Sequence, residues 1–168
     1  MKVDVQTIKD QLKLTPHPEG GFFKENYRSN GSINEANLWK GVQGSRNFST
    51  AIYFLLVKNQ ISAFHKIKQD EMWHFYCGTP LLLHMINNQG DYHSVKIGNN
   101  ISNGEYFQFV VPSGTWFASE VENKDNFAFC GCTVSPGFDF KDFEMPDRKF
   151  LVSKYPHLKE IITRLTHR

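Results

Sequence analysis

Ser62-Ala63-Phe64-His65-Lys66-Ile67-Lys68-Gln69-Asp70-Glu71-Met72-Trp73-His74-Phe75-Tyr76-Cys77-Gly78 is the stretch that decides the fold. Ionisable residues are set there into an otherwise apolar, strand-like run. As a strand, residues 72–77 place Glu71, Trp73 and Phe75 on one face and Met72, His74 and Tyr76 on the other, because strand side chains alternate. A carboxylate sharing a face with Trp and Phe is costly to bury unless it meets a partner or a ligand. His65, just ahead of the turn, is the candidate partner.

Outward from this segment the pattern repeats. Short β-rich runs at 22–27, 48–57, 81–86, 92–97, 106–111 and 126–134 are separated by turn clusters at 58–60, 87–90, 98–100 and 112–114. Such punctuation predicts an all-β sandwich or barrel. Aromatic residues make up 14% of the chain, 15 of them Phe, and they favour pleated, half-buried surfaces. Val5, Ile8 and Leu12 recur at helical spacing behind Asp4, a suitable N-cap, and Pro16 and Pro18 stop that helix. Leu158, Ile161, Ile162 and Leu165 form a second apolar stripe, with Pro156 fit to open it. The expectation is one domain over residues 1–168, with its core at about 22–140 and short helices at both ends.

Charge and cysteines narrow the classes. The 19 basic and 17 acidic residues leave a formal charge of +2 with no basic stripe, which argues against nucleic acid as a partner. The apolar run 51–57 is too short to cross a bilayer, and the residues after Met1 lack a signal peptide's apolar core. Together these give an expectation of a cytoplasmic protein without a membrane partner. Cys77, Cys130 and Cys132 are odd in number, which argues against a disulfide framework. Cys130 and Cys132 share a strand face and read as small core residues, in preference to a metal or redox pair.

Residues 62–78 resemble the first motif of the cupin superfamily, which reads Gly, five residues, His-x-His, three or four residues, Glu, six residues, Gly. His65, Glu71 and Gly78 fall on its positions, and Ile67 occupies that of the second His. The second motif, Pro-x-Gly, two residues, His, is matched by Pro112 and Gly114, with Phe117 in place of the His. Four blocks narrow the resemblance: His17-Pro18-Glu19-Gly20-Gly21-Phe22, residues 70–76, Val111-Pro112-Ser113-Gly114-Thr115-Trp116, and residues 131–140. In this order they look like the signature of a cupin family of unknown function, often called cupin family five. The resemblance implies a double-stranded β-helix, a jelly-roll barrel with helices outside, paired as a homodimer.

Cupin metal sites use three His and one Glu. Only His65 and Glu71 remain here, and Ile67 and Phe117 cannot ligate, so no metal or other cofactor is expected. A metal set of His65, Glu71 and His74 would need a bulge to turn His74 inward. The favoured reading is a metal-free pocket for a polar small molecule. Some cupins that act on nucleotide-linked sugars use a His base and an acidic partner without metal. By that analogy His65 is the general acid/base and Glu71 its orienting carboxylate. Trp73, Trp116 and Phe117 would wall the pocket, and Gln108 would add a polar contact. Glu19 either caps a turn or reaches the barrel mouth. The activity implied is an isomerase, epimerase or lyase on a sugar- or nucleotide-like substrate. The alternatives are a non-catalytic small-molecule binding protein and, less favoured, a metal-dependent oxygenase. The structural readings stand beside these: His65 and Glu71 as a buried pair, Trp116 as core, His74 as an outward residue.

Overall fold

Glu71, Trp73 and Phe75 are buried while Tyr76 between two turns of the pleat is exposed, so the alternation read from residues 72–77 holds along the strand Asp70–Gly78. The structure is a computed structural model and describes residues 4–123 and 126–167. In chain order its strands are β1 (Thr15–Pro16), β2 (Phe22–Arg28), β3 (Ser32–Ile33), β4 (Arg46–Asn47), β5 (Thr50–Leu56), β6 (Ile61–His65), β7 (Asp70–Gly78), β8 (Leu81–Ile86), β9 (Tyr92–Ile97), β10 (Glu105–Tyr106), β11 (Gln108–Val111), β12 (Trp116–Val121) and β13 (Ala128–Ser135).

Two sheets face each other. One runs β1-β2-β5-β13-β7-β11, the other β10-β9-β8-β12-β6, and β3-β4 is a separate small hairpin. The jelly-roll expectation holds, but the closed barrel does not: the sheets form a sandwich. The chain leaves one sheet before it joins the next. Between β11 and β12, Pro112 offers no amide to a ladder and Gly114 takes a left-handed φ of 73°, so the ladder stops there.

The core lies between the sheets. Phe54, Trp73, Leu83, Met85, Phe117, Val121, Cys130 and Cys132 pack into it as one cluster. Cys130 and Cys132 are free and buried, and burial pushes both thiols well above their ordinary range, as suits core residues. Helix α1 (Val5–Leu12) starts at Asp4, whose side chain accepts from the Thr7 amide at 2.9 Å, and it sets Ile8 against Leu55. Helices α2 (Arg148–Lys154) and α3 (Lys159–Arg164) cover the outside of the second sheet, with Leu151 and Ile162 on Phe64, Ile86 and Trp116. Pro156 opens a single 3-10 turn ahead of α3. No helix among the described residues is long and apolar enough to cross a membrane.

Candidate functional site

Residues 17–21 form the turn between β1 and β2 of the first sheet and pack against the edge strand β6 of the second, and two glycines keep the turn tight. The Gly20 amide donates to the His17 carbonyl at 3.0 Å and the His17 amide to that of Gly21 at 3.1 Å. Gly20 has a φ of 113°, and a β-carbon there would collide with the Ile61 carbonyl. The Glu19 carbonyl accepts from the Ala63 amide of β6 at 2.8 Å and pairs with His167 Nε2 at 3.0 Å. The turn is thus sewn to β6, and the Glu19 side chain is delivered beside His65. Gly20→Ala is expected to cost about 1–3 kcal/mol, from backbone strain and the displaced turn. A denaturant melt reads it, and a loss below about 0.5 kcal/mol would contradict this account of the turn.

The Glu19 carboxyl is held on both oxygens. Oε1 accepts from Ser62 Oγ at 2.9 Å; Oε2 lies 3.1 Å from His65 Nε2 and 3.4 Å from His17 Nδ1. His65 Nδ1 is 2.7 Å from the Ala63 carbonyl, which accepts, so Nδ1 carries hydrogen and Nε2 faces Glu19. Burial holds His65 down at about 3 and His17 at about 4. Burial first, and then the charge of Glu71, raise Glu19 well above the carboxylate range, against the Ser62 hydrogen bond. Burial thus disfavours charge on all three groups. The His65 ring packs on Phe117, with centroids 4.0 Å apart, and on Phe143 at 5.4 Å.

Glu71 enters the same space from β7. It is 8% exposed, and among the described residues its side-chain partner is the Cys132 thiol on the neighbouring β13. Burial pushes its carboxyl up to about 7, against that hydrogen bond. Glu19, His17, His65, Glu71 and Cys132 all line one cavity of about 300 Å³, which is continued by Ile52, Phe54, Ile67 and Val134. Toward its mouth stand Phe23, Glu25, Arg28, Phe138, Asp139, Phe140 and Phe143. Arg28 donates to both Glu25 oxygens at 2.9 and 2.7 Å, to Asn47 Oδ1 at 2.8 Å and to the Phe138 carbonyl at 3.1 Å.

The structure therefore brings His65, Glu71 and Glu19 to one cavity and distributes the other expected site residues elsewhere. The hydrogen-bond partner of His65 is Glu19, not Glu71. Of the two readings of Glu19, the side chain reaches the cavity. Phe117 backs His65 from the core. Trp73 faces inward but lies beneath the cavity, edge-on to Phe54 at 5.5 Å. Trp116 points to the other side of β12, under α2 and α3 with Lys66 over its ring, because adjacent strand residues cannot both face inward. Gln108 sits opposite His74 on the outer face of the first sheet and donates to His74 Nδ1 at 3.1 Å, while His74 Nε2 bonds Thr133 Oγ1 at 2.9 Å. His74 thus faces away from His65 and Glu71 and cannot complete a metal set with them.

The three-His, one-Glu metal site does not fit these residues. Ile67 and Phe117 hold two of its positions, and the free nitrogen of His65 is turned to Glu19. Among the described residues no group of three or more His, Cys, Asp or Glu is arranged to hold a metal ion. His17, Arg28, Asp139 and the phenylalanines at 138, 140 and 143 have no site role in the sequence pattern, and Cys132, expected as a core residue, also borders the cavity. The paired glycines after His17-Pro18-Glu19 were the available signal, since they demand close backbone approach.

The sequence profile described as Cupin superfamily (DUF985) matches residues 6–146. Uncharacterized protein YML079W of Saccharomyces cerevisiae is 34% identical over 147 residues, covering 82% of this chain and 73% of its own length. The crystal structure of protein SO0799 from Shewanella oneidensis superposes with a TM-score of 0.88 at 36% identity, over 99% of each chain. A hypothetical protein from Leishmania major superposes with a TM-score of 0.88 at 31% identity, over 99% of this chain and 100% of its own. Profile, identity and fold agree with the motif blocks, and the chain belongs to the cupin superfamily, in its DUF985 family.

Proposed function

We propose that this cupin is a metal-independent acid–base enzyme, of the isomerase, epimerase or lyase type, that moves a proton on a sugar-sized polar molecule. The observation that supports this reading is Glu71: a buried carboxyl with only a thiol partner, raised to about 7, facing a cavity shared with the Glu19–His65 pair. A general base works best when its pKa lies near the working pH. Both ring nitrogens of His65 are engaged, so Glu19 and Glu71 are the groups that meet substrate, and His65 is a positioning residue that sets the proton on Glu19. In an isomerisation, ionised Glu71 takes a proton from carbon and the electron pair moves into an adjacent carbonyl. Protonated Glu19 then gives its proton to carbon as the electron pair returns from the carbonyl oxygen, and exchange with solvent restores the proton to Glu19 and removes it from Glu71.

Such chemistry leaves a solvent-derived label. The full chain, incubated in heavy water with a fractionated extract of small metabolites, is expected to place one deuterium on carbon in a specific compound. Glu71→Gln and Glu19→Gln should each slow that labelling at least about tenfold, in keeping with loss of an acid or base. A compound that binds in the cavity yet acquires no deuterium would count against catalysis and for a binding protein.

A further inference from the structure

We infer that the cavity is built for an organic cation: a small molecule carrying a protonated amine on a partly apolar body. This rests on the same site as the proton-transfer reading and names the class of molecule it takes. Four acidic side chains line the cavity among the described residues, against one Arg and no Lys; Glu19 is tied to Ser62 and His65 and Glu25 to Arg28, which leaves Glu71 and Asp139 to meet a ligand. Arg28 is already committed to Glu25, Asn47 and a backbone carbonyl, so it offers no fork to a carboxylate or phosphate. An anion entering here would meet Asp139 at the mouth and Glu71 beneath it, with no free positive group to receive it. An ammonium would meet acceptors.

Glu71 is the deep acceptor. It is 8% exposed, it borders the cavity, and among the described residues no side-chain donor reaches it beyond the Cys132 thiol. The titratable groups that share its end of the cavity are Cys132 from β13, which bonds it, Glu19, which feels its charge, and His17 and His65, which hold Glu19; none supplies a formal positive charge while both His are neutral. A bound ammonium would supply that charge and let Glu71 ionise. The apolar part of the ligand is provided for as well. Phe138, Phe140 and Phe143 stand mutually edge-on with centroids 5.0 to 6.4 Å apart, and Phe23 borders the same space. Ring faces attract cations and cover carbon surface, which is what an amine on a small ring or chain requires.

Three ligands of one shape test this: cyclohexylammonium, cyclohexanol and cyclohexanecarboxylate, each titrated calorimetrically into the full chain at pH 8 and pH 6. The ammonium is expected to bind at least about tenfold more tightly than the alcohol at pH 8, roughly one buried charge-assisted hydrogen bond, and the carboxylate more weakly than either. The ammonium's advantage should shrink at pH 6 and fall to within about threefold in Glu71→Gln. Asp139→Asn, at the rim, should lower it by a smaller factor, and it serves if Glu71→Gln folds poorly. A carboxylate that binds as tightly as the ammonium, or failure of all three to bind, would overturn the inference. Proton transfer is read separately: deuterium labelling that depends on Glu71 survives a failure of the ammonium, and ammonium binding without labelling sinks only the catalytic reading.

Discussion

Asp142→Ala is expected to destabilise the protein by about 3–5 kcal/mol, the loss typical of removing one partner from a buried ion pair. Asp142 accepts from Arg46 Nε at 2.6 Å and Nη2 at 2.8 Å, and from Gln69 Nε2 at 2.7 Å. The side chains of Arg46 and Asp142 are 2% and 0% exposed. Without Asp142 the Arg46 guanidinium keeps only the carbonyls of Gln43, Gly44 and Ser45, and its charge is left buried and unpaired. The effect extends to the cavity, because Asp142 lies between Phe140 and Phe143 of its wall. Urea unfolding reads the loss, and a joint Arg46→Met, Asp142→Leu variant should recover a large part of it by removing both charges. A single-variant loss below about 1 kcal/mol would show that the pair does not anchor this wall.

Glu71→Gln is expected to make the ligand-free protein more stable than wild type above neutrality, by about 3 kcal/mol at pH 8. Burial raises Glu71 from 4.5 in an open chain to about 7 in the fold. The native state therefore holds a proton that the unfolded state has released between these two values. The stability Glu71 contributes is full below about pH 4.5 and is lost as pH rises through about 7; a glutamine never incurs that loss. His17 and His65 act in the opposite sense. Both are held neutral by burial, so their contribution is present above 6.5 and is lost as pH falls through about 4 and about 3. Their terms cancel when the wild-type stability is subtracted from that of the variant at each pH. The difference curve should rise from pH 4.5 to 7 and then flatten; a flat curve across that range would mean that Glu71 is solvated in the native state.

Much of the fold was legible because it depends on local period. The alternation through Glu71, Trp73 and Phe75, the shared face of Cys130 and Cys132, and the Asp4 cap are short-range patterns. Strict use of the same period would also have turned Trp116 outward once Phe117 was placed inside. The rest depends on register between distant strands. Gln108 meets His74 only because β11 pairs with β7. Arg46 and Asp142 are 96 residues apart, and no local pattern announces that they meet. Glu19 was the hardest to read: its neighbours in the chain are turn residues, and its role comes from β6, more than forty residues downstream, whose Ala63 amide and Ser62 hydroxyl hold its backbone and side chain. His65 and Glu71, the two motif positions, both border the cavity, but motif positions say which residues approach a cavity and not which of them bond.

The proposed proton transfer requires a buried carboxyl at Glu71 that exchanges a proton near neutral pH. Its most direct test is a titration of the side-chain carboxyl carbons in protein labelled with carbon-13 at glutamate, with Glu71 assigned by the signal that disappears in Glu71→Gln. The expected result is a Glu71 midpoint near 7 and a Glu19 midpoint well above the ordinary carboxylate range. A Glu71 signal that titrates below pH 5, alongside the exposed glutamates, would contradict it.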